Sequence, residues 1–592
     1  MQSAEAVLGV LRERGRKGLP CNELYRQLFN PQLYLLAYGR IYSNKGAMTP
    51  GPTQETADGM TMEKIGAIID AMRHERYRFS PVRRTYIPKK SGKLRPLGLP
   101  TWSDKLVGEV VRLLLEAYYE PQFSDRSHGF RPGRGCHTAL REIADGWTGT
   151  TWFIEGDVSD CFGSLDHSVM VSILSEKIHD GRFLRLIGKM LSAGYLEDWR
   201  WNATLSGCPQ GGVASPILSN IYLHKLDQFV ETVLIPQHTK GKARRINPSY
   251  KRLKDRLAYA RKRGNRDKGR ELRKELRRLP AGDPCDPGYL RLRYSRYADD
   301  HLLGFIGPKA EAEKIKAELA EFLRDELKLE LSAEKTLITH ARSQAARYLG
   351  YEIVVQHNDS KIAGGLRAVN GKIGLRVPLD VIKAKRAPYL RHGKPWHRSA
   401  MQNLDDFDIV KTYGAEYRGI VQYYLLANDV WRFNRLRWDA QTSMLKTLAA
   451  KHQSSVVKMA AKYAAKIETP NGLRTCYEAR IERIGKQPLV ARFGGIPLVR
   501  NRRATLVDLS SSHWITYPKK ELVRRLLTRR CEMCGEPGPV TVHQARNLAS
   551  LNKPSGQSAW TALMLEKRRK TLVVCRSCHD AIHDGKPIAQ SA

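Results

Sequence analysis

The chain has 592 residues, with 100 Lys and Arg against 60 Asp and Glu, which gives a formal net charge of +40 at pH 7. This length exceeds what one hydrophobic core serves and predicts about three to five domains. The positive charge is spread along the whole chain, which favours nucleic acid as the partner over an anionic membrane patch. No long apolar run predicts a membrane span, and no signal-peptide pattern opens the chain, so we expect neither a membrane nor a secreted protein.

The first third of the chain alternates helical and strand patterns. Residues 1–80 predict amphipathic helices, and residues 81–100 predict a short hairpin with a Gly-containing turn. Apolar side chains at helical spacing between residues 106 and 117 predict a helix after this hairpin. Residues 152–158 then predict a short apolar strand that contains Asp157, and residues 167–193 predict further helices.

Residues 240–278 form an unusually basic stretch, with eighteen Lys or Arg against four acidic residues. The pattern is helical but almost wholly polar, so it cannot supply a core element. We interpret it as a basic helical insertion, and the alternative is a solvated, partly disordered loop. Strands are expected at residues 291–297 and 302–306, followed by an amphipathic helix at residues 309–328.

Tyr297-Ala298-Asp299-Asp300 lies between these two predicted strands, so a tight turn presents adjacent carboxylates at a hairpin tip. Nucleotidyl transfer uses two divalent ions about 4 Å apart, which need carboxylates from at least two chain segments. Asp157, at the end of its strand, is the natural second contributor, and the backbone carbonyl of Val158 is a further candidate ligand. Such an oxygen-rich site suits Mg²⁺. A lone Asp-Asp pair is more often a turn or a helix cap, and we expect Asp166 to be such a cap.

A second metal signature lies near the C-terminus. Cys531 and Cys534, and then Cys575 and Cys578, form two C-x-x-C pairs separated by forty residues. This pattern predicts a tetrahedral Zn²⁺ site in a reducing compartment. His579 and His583 share one helix face at i, i+4 spacing, which suits a second divalent ion.

Taken in order, the motifs resemble those of the group II intron-encoded reverse transcriptase/maturase family, including members with a C-terminal HNH-like endonuclease domain. Besides residues 157–162 and 297–300, the resemblance rests on these segments: Leu94-Arg95-Pro96-Leu97-Gly98-Leu99-Pro100, Ser127-His128-Gly129-Phe130-Arg131-Pro132-Gly133-Arg134, Gly207-Cys208-Pro209-Gln210-Gly211-Gly212, Ser215-Pro216-Ile217-Leu218-Ser219-Asn220, Leu331-Ser332-Ala333-Glu334-Lys335-Thr336 and Tyr348-Leu349-Gly350-Tyr351.

The resemblance implies a role for each matching residue at the polymerase site. Asp157, Asp299 and Asp300 correspond to the metal-binding triad. The implied nucleotide-binding residues are the triphosphate-binding cations Lys89 and Arg95, the steric-gate aromatic Phe162, the template-loop residues Gln210 and Gly211, and the candidate proton donor Lys335. Phe162 could equally be a core aromatic, and Lys335 a solvated lysine.

Residues 405–452 resemble the thumb or maturase region of the family, which implies binding of the parent intron RNA and assistance in its splicing. Candidate RNA-binding residues are Arg418, Tyr423, Tyr424 and Lys451, since aromatic rings stack on bases and cations neutralise phosphates. Composition alone indicates only a basic helical bundle whose aromatic residues pack a core. Tyr423 and Tyr424 cannot face the same way, so we expect one of them to be buried.

The C-terminal segment resembles an HNH endonuclease domain with one departure. The resemblance implies that His543, His579 and His583 hold a divalent ion. The family usually has a His-His pair where this chain has His543-Gln544, and Gln544 cannot accept a proton as a general base. We therefore expect a zinc-stabilised DNA-binding module with weak or absent cleavage.

The sequence as a whole predicts an α+β protein with a right-hand polymerase, an α-helical thumb/maturase domain and a small zinc-stabilised ββα-type module. The expected divisions are residues 1–80 (N-terminal helical extension), 81–380 (fingers and palm with the 240–278 insertion), 381–486 (thumb/maturase), 487–527 (basic DNA-binding connector) and 528–592 (HNH-like domain). Expected partners are intron RNA, target DNA and dNTPs, with no membrane.

The function that follows is RNA-directed DNA synthesis combined with splicing assistance and intron mobility by target-primed reverse transcription. An RNA-binding splicing cofactor with little polymerase activity is the alternative, and a reverse transcriptase with a different task is a third. We expect the protein in the bacterial cytoplasm, associated with the nucleoid when on DNA, and an organellar origin is also compatible with the sequence.

Overall fold

A computed structural model describes residues 2–88, 92, 94–198, 200–204, 206–208, 211–332, 334, 336–363, 366–470, 472–483, 486–508, 521–548, 551 and 558–586. Across these ranges the chain combines helices and strands throughout, as expected for a mixed α and β protein. Within the same ranges no helix has both the length and the apolar character needed to span a membrane.

The helices follow the predicted pattern and begin at side-chain caps in several places. Ser3, Thr61 and Thr101 each accept a hydrogen bond from a backbone N–H three residues further on, which satisfies a donor that the helix leaves unpaired. Asp166 caps its helix in the same way, as predicted. The helices before residue 330 are α1 (Ala4–Arg16), α2 (Pro31–Ile41), α3 (Met62–Arg73), α4 (Trp102–Tyr119), α5 (Cys136–Gly146), α6 (Cys161–Ser164), α7 (His167–Ser175), α8 (Gly181–Leu191), α9 (Ser215–Phe229), α10 (Ile235–Gln237), α11 (Pro248–Lys262), α12 (Arg266–Arg278) and α13 (Lys309–Asp325).

The helices after residue 370 belong to two later regions. Helix α15 buries one face that includes Tyr413 and Tyr417, and the helix that follows it packs alongside. These helices are α14 (Leu379–Arg386), α15 (Asp406–Tyr423), α16 (Asn434–Lys451), α17 (Val456–Tyr463), α18 (Glu521–Leu527), α19 (Ala559–Glu566) and α20 (Arg576–Asp584).

The strands of the first 380 residues build two four-stranded sheets and smaller ones. They are β1 (Val82–Pro88), β2 (Leu94–Leu99), β3 (Trp152–Gly156), β4 (Tyr195–Glu197), β5 (Arg200–Asn202), β6 (Arg291–Tyr297), β7 (Asp300–Ile306), β8 (Ile338–His340), β9 (Ala346–Tyr348), β10 (Tyr351–Val355), β11 (Ile362–Ala363), β12 (Leu366–Arg367) and β13 (Ile373–Arg376). The predicted hairpin of β1 and β2 extends to β4 and β5 in the order β2-β1-β4-β5, and the central sheet has the order β6-β7-β3-β8.

The remaining strands lie in the maturase-like and C-terminal regions. They are β14 (Leu390–Arg391), β15 (Lys394–Pro395), β16 (Ala464–Thr469), β17 (Gly472–Arg483), β18 (Lys486–Gly494), β19 (Val540–Gln544) and β20 (Thr571–Cys575). Strands β16, β17 and β18 form an antiparallel sheet that packs on α15. The expectation of a purely helical thumb/maturase region is therefore wrong, because the alternation of polar and apolar residues after position 464 builds a sheet that covers a helix face.

The basic insertion is helical, as predicted, and the solvated-loop alternative does not describe it. Helices α11 and α12 pair as a hairpin around a small cluster of Leu257, Ala260 and Leu272. Their remaining residues are mostly exposed. The hairpin therefore carries its positive charge outward with only a minimal core of its own.

Two large apolar clusters hold the rest of the described chain together. One joins the N-terminal helices, α4, α9 and α13, and it also includes Leu522, Val542 and Val573 from the C-terminal segment. The other joins β9, β10 and β13 to α15 and α16. The C-terminal segment is thus docked on the N-terminal helices through apolar packing, although the two lie at opposite ends of the sequence.

Candidate active site and metal clusters

The Tyr297–Asp300 turn lies at the tip of the β6–β7 hairpin, where Tyr297 pairs with Asp300. Ala298 has a positive φ of 55°, which is uncommon for a residue with a Cβ. The guanidinium of Arg296 donates a 2.8 Å hydrogen bond to the Ala298 carbonyl and so supports this conformation. The hairpin therefore presents Asp299 and Asp300 in a turn whose backbone conformation is stabilised by the Arg296 side chain.

Asp157 reaches the same tip from the neighbouring strand. Strand β3 runs antiparallel to β7 with Gly156 opposite His301, so the next residue lies beside the turn. The backbone of Asp157 is anchored by the Ser332 N–H, which donates to its carbonyl at 2.9 Å. Two strands that are distant in sequence thus deliver three carboxylates to one place.

A cavity of about 450 Å³ lies over this tip, and the three predicted catalytic aspartates, all half-buried, line it. Four other residues singled out from the sequence also line the cavity: Val158, Arg95, Phe162 and Gly211. Lys89, Gln210 and Lys335 lie outside the described residues.

Gly211 has a φ of 104°, and a Cβ there would stand 2.7 Å from the Gly98 carbonyl, so only glycine fits this wall of the cavity.

A buried ion pair lies under the hairpin, and no sequence pattern predicted it. The Arg296 guanidinium contacts the Asp227 carboxylate at 2.6 Å, and both side chains are fully buried. Tyr294 donates its hydroxyl to the same carboxylate at 2.9 Å. Burial alone would raise the pKa of Asp227, but the attraction of Arg296 outweighs it and brings the pKa to about 2. Asp227 on α9 is thereby coupled to the strand that leads into the Tyr297–Asp300 turn.

His301 is a second residue that sequence reasoning missed. Its imidazole is fully buried and crosses the face of Gly156, where a Cβ would overlap with the ring. Burial lowers the pKa of His301 to about 4, so the ring is neutral at pH 7. The glycine before Asp157 is therefore required by the ring that packs behind the carboxylates.

The segment after β18 returns to the Tyr297–Asp300 turn. The Tyr297 hydroxyl donates to the Asp508 carboxylate at 2.8 Å, and the Phe130 N–H donates to the same oxygen at 2.9 Å. The Asp508 N–H in turn donates to the Arg134 carbonyl at 2.9 Å. This part of the predicted DNA-binding connector therefore contacts the polymerase region, a contact that no local sequence pattern reveals.

The four candidate RNA-binding residues have different surroundings. Tyr424 is buried, and its hydroxyl donates to the Gly350 carbonyl at 3.0 Å, so its assignment as an RNA-stacking residue is corrected to a packing role. Tyr423 is partly buried and donates to the Leu349 carbonyl at 2.7 Å. Lys451 pairs with Asp406 at 2.8 Å, whereas Arg418 is exposed. The two tyrosines join α15 to the β9–β10 turn because that turn presents adjacent carbonyls.

The four predicted zinc ligands come together in the C-terminal segment. The sulfur atoms of Cys531, Cys534, Cys575 and Cys578 all lie within 4.8 Å of one another. Cys534 and Cys575 are 3.8 Å apart, which matches the separation of about 3.8 Å that tetrahedral Zn–S bonds of about 2.3 Å require. Four thiols in this arrangement fit a structural zinc ion.

The three predicted HNH-like histidines also converge, and a fourth residue joins them. One ligand atom from each of His543, His579 and His583 lies within 4.8 Å of a carboxylate oxygen of Asp58 and of one another. Gln544 points elsewhere, because its side-chain amide donates to the Tyr42 carbonyl at 2.9 Å. Sequence reasoning missed Asp58, which lies in the loop between α2 and α3 with no motif around it.

Comparisons with known proteins agree with this arrangement. Residues 87–353 match the reverse transcriptase (RNA-dependent DNA polymerase) family, residues 371–485 match the type II intron maturase family, and residues 531–579 match the AI2M/AI1M-like HNH endonuclease family.

Individual proteins match over most of the chain. The group II intron-encoded protein LtrA of Lactococcus lactis subsp. cremoris is 38% identical over 95% of this chain and 96% of its own length. An uncharacterised 91 kDa protein in the cob intron of Schizosaccharomyces pombe is 34% identical over 95% of this chain and 70% of its own length. Protein YkfC of Escherichia coli is 34% identical over 57% of this chain and 84% of its own length.

The chain belongs to the family of group II intron-encoded reverse transcriptases with a maturase domain and an HNH-like domain. It is an RNA-directed DNA polymerase, as the sequence predicted, and the alternative of a purely RNA-binding splicing cofactor is not favoured.

Proposed function

We propose that the cavity over the β6–β7 turn is the nucleotidyl-transfer site and that Asp157, Asp299 and Asp300 hold two Mg²⁺ ions there. Carboxylate oxygens with a nearby backbone carbonyl at Val158 are the hard donors that Mg²⁺ prefers. Bound ions would lower the pKa of the attacking 3′-hydroxyl and stabilise charge on the leaving pyrophosphate. The observation that carries this proposal is that one cavity is lined by all three aspartates, which come from two separate strands.

The other lining residues suit an incoming dNTP. Arg95 offers a planar fork to the triphosphate, and Phe162 crowds the position of a ribose 2′-hydroxyl. Gly211 lets the backbone approach the nucleotide closely. We assign Lys89, Gln210 and Lys335 to triphosphate binding, template contact and proton donation on the strength of the family motifs.

The architecture supports a right-hand polymerase. In this proposal the β2-β1-β4-β5 sheet forms the fingers and the β6-β7-β3-β8 sheet forms the palm. Helices α14 to α17 with the β16–β18 sheet form the thumb/maturase domain, so we extend its boundary from residue 486 to residue 494. Residues 1–80 remain the N-terminal extension, and residues 528–592 the HNH-like domain.

In the thumb/maturase region, the proposed surface for intron RNA keeps one predicted residue and adds exposed aromatic residues that the sequence analysis did not single out. Trp438 on α16 is 49% exposed, and the guanidinium of Arg435 lies 4.9 Å from its ring centroid. Trp431, just before α16, is also exposed. An exposed aromatic ring beside a cation suits stacking on an unpaired base and pairing with phosphate. We propose that this Trp431–Trp438 face and Arg418 contact the intron RNA.

The C-terminal module is proposed to bind target DNA without cutting it. Its zinc ion stabilises the module through the four cysteines, and a second divalent ion is held by His543, His579 and His583. Gln544 carries no base function, because a carboxamide does not take up a proton near neutral pH, and its NH2 group is directed to the Tyr42 carbonyl. Target-primed synthesis from a ribonucleoprotein in a bacterial cytoplasm is consistent with the bacterial source of the LtrA relative.

Primer extension on an RNA template with Mg²⁺ and dNTPs tests the polymerase assignment. Asp299→Ala should lower kcat by about 10³-fold or more, because loss of a metal ligand removes several kcal/mol of transition-state stabilisation. Asp166→Asn is the matched control, since Asp166 is a nearby acidic residue whose capping role asparagine can keep. Equal synthesis by wild type and Asp299→Ala would refute the assignment.

A further inference from the structure

The Asp58 cluster joins the two ends of the chain at one point. Asp58 precedes α3, His543 lies on β19, and His579 and His583 lie on α20. The Asp58 carboxylate is 2.9 Å from His583 Nε2 and 3.4 Å from both His579 Nε2 and His543 Nδ1. One carboxylate therefore faces three imidazoles that belong to a different domain.

The spacing of these atoms matches the ligand shell of a small divalent ion. Tetrahedral zinc with bonds of about 2.0–2.1 Å places neighbouring ligand atoms about 3.3–3.4 Å apart. Two of the three nitrogen–oxygen separations are 3.4 Å, one to each oxygen of the Asp58 carboxylate. Three imidazoles and one carboxylate form a donor set suited to Zn²⁺.

The histidines themselves indicate a missing partner. His543 is 93% buried at its side chain, and neither of its ring nitrogens makes a hydrogen bond. His579 Nε2 is likewise buried without a hydrogen bond. Buried polar atoms are costly when they stay unpaired, and a metal ion between the rings and Asp58 would satisfy them.

Contacts around the cluster fix Asp58 against the C-terminal module. The Gly59 N–H donates to the Val542 carbonyl at 2.9 Å, and the Val542 N–H donates to the Met60 carbonyl at 3.0 Å. The Gln544 N–H donates to the Asp58 carboxylate at 2.6 Å. These bonds lock the loop before α3 onto β19, so the carboxylate cannot leave the cluster without breaking a bridge between two domains.

We propose that Asp58 is the fourth ligand of a closed zinc site with His543, His579 and His583, and that this site clamps the HNH-like module to the N-terminal region. The proposal rests on the histidine metal site assigned above. Catalytic zinc sites keep one position open for water or substrate, whereas structural sites have four protein ligands. With Asp58 in the fourth position the cluster serves docking, which agrees with the absence of a base at Gln544.

Metal analysis of the full-length protein after dialysis against a mild chelator tests the proposal. Wild type should retain two zinc ions per chain, whereas Asp58→Asn and His579→Asn should each retain one. Asp70→Asn is the control, because Asp70 is an exposed acid of the same region on α3. Primer extension near the wild-type level shows that the polymerase region of each variant is folded, since none of the substituted residues lines the polymerase cavity.

The variants distinguish the histidine metal site from the further proposal that Asp58 is its fourth ligand. Loss of one zinc in His579→Asn but not in Asp58→Asn would overturn the Asp58 clamp and leave the histidine site standing. A single zinc in wild type itself would overturn both.

Amide hydrogen exchange provides a readout of docking. Filling the second site should slow exchange at Gly59, Val542 and Gln544 in wild type at least tenfold more than in Asp58→Asn. Equal protection in both proteins would show that the metal does not link the two domains.

Discussion

The polymerase cavity and the Asp58 cluster make an instructive pair. Both gather carboxylate and other ligands from segments far apart in sequence, and both lie where a strand ends or a loop meets a strand. The three candidate catalytic aspartates line a cavity of about 450 Å³, whereas the histidines face a carboxylate of the protein itself. In our proposals the two metal sites differ in whether the protein supplies every ligand of the ion. A site with an open coordination position can bind a substrate, whereas a site with four protein ligands holds two parts of the chain together.

The two regions also differ in what holds them in place. The polymerase turn is supported by a large apolar core and a buried ion pair. The C-terminal module has only a small core of its own around the cysteines. Small domains of this kind commonly depend on a metal ion for their fold.

Removal of a cysteine ligand of the zinc ion should have the largest effect, and this effect should be confined to the C-terminal module. Cys534→Ser should lose the zinc ion of the cysteine site, and the module should unfold locally and release the ion of the histidine site as well, because structural zinc contributes on the order of 10 kcal/mol in small zinc domains. Limited proteolysis should then cut within residues 528–586, while primer extension stays near the wild-type rate. Cys285→Ser is the control, since Cys285 is an exposed free cysteine. Wild-type protease resistance in Cys534→Ser would contradict a structural role for the zinc.

Loss of the buried ion pair should affect the polymerase side instead. Asp227→Asn leaves the buried Arg296 charge without its partner and should lower the free energy of unfolding by about 3–5 kcal/mol. Thermal unfolding measures this loss. Asp325→Asn, at an exposed pair with Arg324, should change it little. A similar Tm for both variants would contradict a supporting role for the pair.

The Asp227–Arg296 pair also predicts that the free energy of unfolding decreases in acid. The native pKa of Asp227 is about 2, below the value of about 3.9 for an unfolded aspartate. The stabilisation is therefore complete above about pH 4 and is lost as the pH falls through about 2. Denaturant unfolding of wild type should show this decline, and Asp227→Asn should lack that component.

A change on α16 should affect RNA binding and leave both sites intact. Trp438→Ala should weaken binding of intron RNA by about 1–3 kcal/mol, the usual contribution of one stacked base. Filter binding at fixed salt measures the loss, and Trp438→Phe should recover part of it because a ring remains. Primer extension on a short template and zinc content should not change. Unaltered RNA affinity would move the RNA interface away from this face.

The sequence predicted the elements that carry the candidate polymerase site, because the information for each of them is local. The Tyr297–Asp300 turn, the β1–β2 hairpin and the strand before Asp157 each carry a pattern within a few residues, and the structure contains all three elements. The cysteine pairs are equally local. Asp58, Asp227 and Asp508 carry no such pattern, since each acts through a partner that only the fold brings near. The β16–β18 sheet was missed for a related reason: its strands are stabilised by packing on α15, and propensity alone did not reveal them.

Asp508 supplies the finest test, because it is a positioning residue that connects the segment after the maturase region to the catalytic turn. Asp508→Ala removes the acceptor of the Tyr297 hydroxyl and the Phe130 N–H, a loss of about 1 kcal/mol of support. Since Tyr297 adjoins the catalytic aspartates, kcat should fall about fivefold while KM for dNTP stays the same. Asp508→Asn keeps an acceptor oxygen, so its kcat should fall less than that of Asp508→Ala. If instead KM rises and kcat holds, Asp508 acts on nucleotide binding and not on the carboxylate turn.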